Sequence, residues 1–232
     1  MCGRYAFFSA HQAITQLFGV PMAAPFKPRY NICPTQFVPV VRTNDAGSRE
    51  LAQLYWGLIP FWAKEKSIGS RMINARAETV AEKPAFRAAF RQRRCVILAD
   101  GYYEWQAVAG GKQPYFIHAR DRQPFAMAGL WESWRERAGA EGVLESCAII
   151  TTAATPSVAN VHDRMPQILS GAALAAWLDA GTKVDSLGEL LSTPVTTKLA
   201  YHPVSRRVNS PRNDGPELIE PLSDQPSDKA RD

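Results

Sequence analysis

Long apolar runs are missing from this chain. The longest, Ala172 to Leu178, falls far short of the ~20 residues that a membrane-spanning helix requires. No apolar stretch follows Met1 as a secretory signal would demand, so neither membrane insertion nor export is expected. Cysteine is scarce and scattered. Cys2, Cys33, Cys95 and Cys147 form no C-x-x-C pair, which argues against a thiolate zinc site and a disulfide scaffold and fits a reducing cytoplasm. The four histidines, His11, His118, His162 and His202, show neither i, i+4 pairing nor an H-E-x-x-H run. No metal and no cofactor is therefore assigned. Internal repeats and low-complexity linkers are absent from residues 1–210, and 232 residues are then most simply organised as one domain.

What is present is an ordinary globular composition, 46% hydrophobic and 21% charged, which excludes a mainly disordered chain. The net charge of +5 is unevenly spread. Residues from Pro211 onward hold six acids and three bases, whereas Lys64 to Arg94 hold nine bases and three acids. Such a basic concentration fits a polyanionic partner, nucleic acid first, or a positive surface kept for solubility. Pro211, Pro216, Pro221 and Pro226 punctuate the end of the chain. The expected organisation is a domain over 1–221 and a disordered tail over 222–232.

Helical signals are few. Ser9 and Gln12 form a capping box ahead of Ala10, Ala13, Ile14, Leu17 and Phe18, with Gly19 as the stop. Pro84 opens a second helix carrying Phe86 and Phe90 on one face and Arg87, Arg91 and Arg94 on the next. A third follows Ser170 and holds Leu174, Trp177 and Leu178, ending at Gly181; Ser186 and Glu189 box a short fourth. Segments Cys95–Ala99, Tyr102–Val108, Tyr115–Ala119, Phe125–Trp134, Cys147–Thr152 and Met165–Leu169 are rich in β-branched and aromatic residues and read as strands. Gly110-Gly111 marks a hairpin turn. Without regular βα alternation, the pattern predicts an α+β single domain around a mostly antiparallel, barrel-like sheet with a few flanking helices.

Chemistry is concentrated in a few segments. In Met1-Cys2-Gly3-Arg4, removal of Met1 would leave Cys2 with a free amine and a free thiol on adjacent carbons. Both groups have useful nucleophilic fractions at neutral pH. Such a 1,2-aminothiol condenses with an aldehyde to an imine, and its thiol then closes a thiazolidine ring; alternatively the thiol acts alone in acyl transfer. Asn74 and Arg76 are two apart, so an extended segment points them to one face, where an amide can orient a reacting group and a guanidinium can bind phosphate. Glu104 lies inside the aromatic strand Tyr102-Tyr103-Glu104-Trp105, an environment that raises a carboxyl pKa toward general acid/base use. His162 is followed by the charged Asp163 and Arg164 at the entry to a strand. Each also has a plainer role: Asn74 as a turn former, Glu104 as an arginine partner, His162 as a loop histidine. Of the six tryptophans, Trp62 lies beside the basic stretch, as a single-stranded nucleic-acid groove requires; Trp131 and Trp177 fit core positions, and His118 and the other cysteines read as structural.

Ordered along the chain, Met1-Cys2-Gly3-Arg4, Arg29-Tyr30-Asn31-Ile32-Cys33-Pro34-Thr35, Trp56-Gly57-Leu58-Ile59-Pro60, Ile73-Asn74-Ala75-Arg76-Ala77-Glu78, Asp100-Gly101-Tyr102-Tyr103-Glu104-Trp105 and His162-Asp163-Arg164-Met165-Pro166 resemble the motifs of the SOS response-associated peptidase (SRAP) family. The resemblance implies a protein that senses abasic sites in single-stranded DNA and traps them as a thiazolidine crosslink through Cys2, after autoprocessing that removes Met1. It implies a catalytic set of Cys2, Asn74, Glu104 and His162. Arg4, Arg76, Trp62, Trp105 and Arg164 would contact or stack on DNA, and Pro34 would wedge near the lesion. The protein would be a monomeric, cytoplasmic, DNA-associated enzyme, with lyase action on the abasic strand also open. Cys33 and Leu98 depart from the alanine and proline of the family pattern. The competing classes are a cysteine peptidase using Cys2 and His162 on other proteins, and a module that binds single-stranded or modified DNA without chemistry.

Overall fold

Arg94–Ala99 (β6) is buried at every position, and a strand apolar on both faces belongs in the middle of a sheet. The computed structural model, which describes residues 2–9, 15, 18–20, 27–136 and 142–222, places it there. Before it run Tyr5–Phe7 (β1), Arg29–Ile32 (β2), Phe37–Thr43 (β3), Arg49–Trp56 (β4) and Asn74–Arg76 (β5). After it come Gly101–Val108 (β7), Gly111–Ala119 (β8), Phe125–Arg135 (β9), Val143–Ala153 (β10), Arg164–Pro166 (β11), Ile168–Leu169 (β12) and Leu199–Pro203 (β13). The described α-helices are short: Arg87–Gln92 (α1), Gly171–Leu178 (α2) and Val184–Ser192 (α3).

The strands form two sheets. In one, β10, β4, β3, β6 and β9 pair in that order, and β9 returns to β10, so five strands close a barrel. Closure leaves no long edge to recruit a foreign strand. All its pairings are antiparallel except the β10–β4 contact. The other sheet is antiparallel throughout, in the order β13-β8-β7-β1-β2. The expected α+β, barrel-like architecture is the one observed. Trp56 and Trp177 are buried completely, as are Cys95 and Cys147, filling the core as apolar groups do.

Several local expectations are corrected. The helix expected after Ser9 lies mostly outside the described residues, as does the tail from 223 onward. Pro84 falls in a turn ahead of α1 rather than in its first turn. Arg94 does not continue that helix face. It begins β6, 6% exposed, and donates to the carbonyls of Phe90, Arg91, Trp177 and Asp179. Burial lowers its pKa, and four charge-assisted bonds of about 1.5–3 kcal/mol each offset the several kcal/mol of desolvation. Ser186 and Glu189 sit inside α3, whose N-terminal flank is Lys183, so they cap nothing. The hairpin turn is Ala109-Gly110, one residue earlier than expected, since Val108 pairs with Gly111 and Gly110 takes φ +83°. Met165–Leu169 is divided at Gln167 between β11 and β12, because Ala128 and Ile150 bond the Gln167 backbone from two different strands. Trp131 is only half-buried, with the Arg42 guanidinium 4.2 Å from its ring centroid.

One close approach sets the path of the chain next to the barrel. Gly57 takes φ +140°, and a Cβ there would stand 2.6 Å from the Gly69 carbonyl oxygen. A side chain at 57 is thus excluded twice, by its own backbone conformation and by its neighbour's. Gly57→Ala is expected to lower stability by about 3 kcal/mol or more, measured as the urea midpoint; an unchanged midpoint would refute this packing.

Candidate functional site

The N-terminal segment supplies the first component. β1 pairs with β7 through Tyr5↔Tyr102 and Ala6↔Gly101, and the Tyr103 amide donates to the Arg4 carbonyl at 2.9 Å. Continuing this register brings residues 2 and 3 alongside Glu104 and Trp105. Glu104 itself is 3% exposed. The neighbouring sheet supplies Asn74. β5 pairs in parallel with β10 through Ile149↔Asn74 and Thr151↔Arg76, and Asn74 Nδ2 donates to the Cys2 carbonyl at 2.9 Å. Asn74 and Arg76 share a face as expected, with Ala75 buried between them.

His162 completes the group from the loop before β11, its Nε2 3.9 Å from Glu104 Oε2. The Arg164 amide donates to His162 Nδ1 at 2.9 Å, which in the neutral ring leaves the hydrogen on Nε2, facing Glu104. Asp163 Oδ1 lies 2.9 Å from the same Nδ1. The four residues singled out as catalytic therefore converge from four separate stretches of chain.

Electrostatics divide the group. The Cys2 thiol is wholly buried, and burial, aided by the nearby Glu104 carboxylate, raises its pKa far above the ordinary thiol range. Burial also raises the Glu104 pKa, with His162 pulling the other way. Around them several buried polar atoms find no hydrogen-bond partner among the described residues: the hydroxyls of Tyr5 and Tyr102, and Asn74 Oδ1. Such orphans are uncommon in native interiors and gather where a ligand or a reaction is accommodated. Among the described residues no cluster of metal-ligating side chains occurs, and none of their helices is long and apolar enough to cross a membrane.

The residues expected to meet DNA are placed less uniformly. Arg76 is exposed on β5. Arg164 is engaged: its guanidinium forks onto both Glu78 carboxylate oxygens at 2.5 and 2.9 Å and donates to the Thr151 carbonyl at 2.6 Å. Arg4 donates to Asn31 Oδ1 at 2.8 Å and to the Val208 carbonyl at 2.5 Å, and its guanidinium carbon lies 6.0 Å from the Trp105 ring centroid. Trp105 is half-buried, its indole nitrogen donating to Asn209 Oδ1 at 2.8 Å. Pro34 is half-buried in a turn in which Thr35 takes φ +71°. Trp62 is carried elsewhere, on the 60–63 turn, 42% exposed and beside the 60% exposed Phe61. Cys33 is buried, its thiol donating to the Asn31 carbonyl.

Asn31 was not singled out by its chemistry, although it lies within a motif. It is 1% exposed; its carbonyl oxygen accepts from Arg4 while Nδ2 donates to the carbonyls of Val208, Ser210 and Asn213. The Tyr30 and Asn31 amides in turn donate to Asp214. A C-terminal strap over 206–214 is thereby tied to Arg4 and, through Asn209, to Trp105. Its separation from Arg4 by 27 residues and from the strap by well over a hundred hid it.

Over residues 1–211 the chain matches the family model described as SOS response associated peptidase (SRAP). It is 41% identical over 225 residues to the abasic site processing protein YoqW of Bacillus subtilis (strain 168), covering 95% of this chain and 99% of that one. The abasic site processing protein YedK of Escherichia coli (strain K12) is 32% identical over 231 residues, covering 96% and 100%. The abasic site processing protein HMCES of Gallus gallus is 35% identical over 227 residues, with 85% of this chain and 67% of that one covered. A solved protein of Bacteroides thetaiotaomicron superposes with a TM-score of 0.84 at 25% identity, covering 96% of this chain and all of the other. With the barrel, the N-terminal cysteine segment and the family match in agreement, this chain belongs to the SOS response-associated peptidase (SRAP) family.

Proposed function

We propose that this protein processes abasic sites in single-stranded DNA, capturing the open-chain sugar aldehyde as a thiazolidine on Cys2 once Met1 has been removed. The observation that carries this is the pinning of the Cys2 main chain by Asn74, 2.9 Å away, beside the Glu104–His162 pair. The amine attacks the aldehyde carbon, and loss of one water gives an imine. The thiol sulfur then bonds to that carbon while its proton passes to the nitrogen, closing the ring. Glu104, buried and electrostatically coupled to Cys2, handles protons at the amine and thiol. His162, with its side chain 29% exposed, exchanges protons with water and serves the sugar oxygen on ring opening.

The protonated thiol favours this route over peptidase action on other proteins. A cysteine peptidase needs thiolate at rest, whereas here burial suppresses it; ring closure begins at the amine and needs the thiol only afterwards. The imine also gives access to lyase cleavage of the abasic strand. Arg76 contacts phosphate, Trp105 and Trp62 stack on exposed bases, and Pro34 wedges by the lesion. Arg4 and Arg164 take part through the anchored positions that Asn31 and Glu78 give them.

Incubation with abasic single-stranded DNA, followed by denaturation, should leave a covalent adduct with the wild type and none of the ring-closed form with Cys2→Ser. Intact mass should show Met1 absent from the reactive protein. A wild type that forms no denaturation-resistant adduct refutes the proposal.

The buried carboxyl gives a second test. Because its folded pKa is raised, Glu104 is most compatible with the fold when protonated, and its contribution to stability falls as pH rises through that raised value. Glu104→Gln should thus be more stable than wild type at neutral pH while losing adduct formation. The stability difference should vanish as pH falls below the ordinary carboxylate range. Urea titrations at the two pH values, beside adduct yield, decide it; a variant that is less stable at neutral pH contradicts this role for burial.

Arg76→Ala should weaken binding to DNA carrying an unreactive abasic analogue and reduce the magnitude of the salt slope by about one. Equal affinity and slope across a salt series would make Arg76 structural.

A further inference from the structure

The 206–214 strap does more than close the fold. Arg206–Asn209 is a single turn of 3₁₀-helix, in which side chains three apart eclipse one another. Arg206 therefore shares a face with Asn209, and Asn209 is the residue that receives the Trp105 indole hydrogen at 2.8 Å. Val208, between them, is fully buried and lends its carbonyl to Arg4 and Asn31, so the turn is fixed in rotation about its axis. Arg206 is exposed and has no ion-pair partner among the described residues. Its neighbour Arg207 differs in both respects that matter: it lies off this face, and it is paired with Glu217 at 3.4 Å.

We propose that Arg206 is a phosphate contact for the DNA strand that stacks on Trp105, extending the binding track past the site onto the C-terminal strap. The inference rests on the function proposed above. A base lying on the Trp105 ring carries its phosphates to the rim of that ring, on the side of the face that Arg206 shares with Asn209. The strap thus adds affinity that is independent of sequence and of the lesion, and only a strand long enough to run beyond Trp105 receives it. Because Arg206 and Arg207 are adjacent and alike in charge, one serves as the control for the other.

The test compares wild type, Arg206→Ala and Arg207→Ala on single strands of about 5 and about 15 nucleotides carrying a reduced, unreactive abasic sugar. Adduct yield is read separately on the short strand with the reactive sugar. Arg206→Ala should weaken binding to the long strand several-fold and lower the magnitude of its salt slope by about one. Affinity for the short strand and adduct yield on it should stay at the wild-type level, and Arg207→Ala should match wild type throughout. Equal losses in the two variants would reduce the effect to bulk charge and overturn the assignment, as would an Arg206→Ala protein that binds the long strand normally. Loss of short-strand adduct in Arg206→Ala would show the strap shaping the site, again against a phosphate contact. Failure of the wild type itself to form the adduct would instead refute the abasic-site reading, whatever the length dependence.

Discussion

Everything near the site hangs on the way β10 divides its hydrogen bonds. Its first half pairs with β9, its middle touches β4 in parallel, and its last residues pair with β5 on one side and β11 on the other. A strand has only two edges, so this is possible because β10 is eleven residues long and changes partners along its length. The first exchange closes the barrel. The second fixes β5, with Asn74 and Arg76, and β11, which the His162 loop enters. Shifting β10 by one residue would turn every side chain to the opposite face and separate Asn74 from the Cys2 carbonyl. Barrel closure and site assembly are consequently one constraint.

The second sheet meets this scaffold from the other side. β7 is its central contributor, with Tyr102 facing the main core and Tyr103 packing with Ala6, Phe116, Val204, Val208 and Leu218 on the opposite face. Glu104 follows the parity of Tyr102 and is thereby aimed inward at Cys2. Gly101 has to be glycine, since a Cβ there would meet the Phe116 ring at 2.3 Å. The face covered by the strap is therefore tightly packed around Tyr103, while the Cys2 side holds the Tyr5 and Tyr102 hydroxyls without partners among the described residues. One sheet thus packs against the strap on one face and against the main core and Cys2 on the other.

Much of this was legible in the sequence wherever a residue's meaning is local. Glu104 among aromatics, Asn74 and Arg76 at an extended spacing, and His162 before a strand all carried a signal within a few positions. The long strands β6, β7, β9 and β10 announced themselves by β-branched and aromatic content. Others did not: β1, β2 and β5 owe their conformation to partners far away in the chain, which no window reveals. β3 and β4, seven and eight residues long, are not among the segments that read as strands. Arg94 illustrates the same limit. Its spacing from Arg87 and Arg91 reads as a solvated helix face, yet its guanidinium ends up closing the carbonyl ends of two helices. Asn31 and Glu78 were likewise hidden, because what distinguishes them is a set of partners and not a pattern.

Burial of the Cys2 thiol has one more consequence. Oxidants and stray disulfides attack thiolate that solvent can reach, and this sulfur, protonated and enclosed, offers neither. Enclosure therefore gives the resting cysteine a long chemical lifetime, whatever the oxidant in the surrounding solvent.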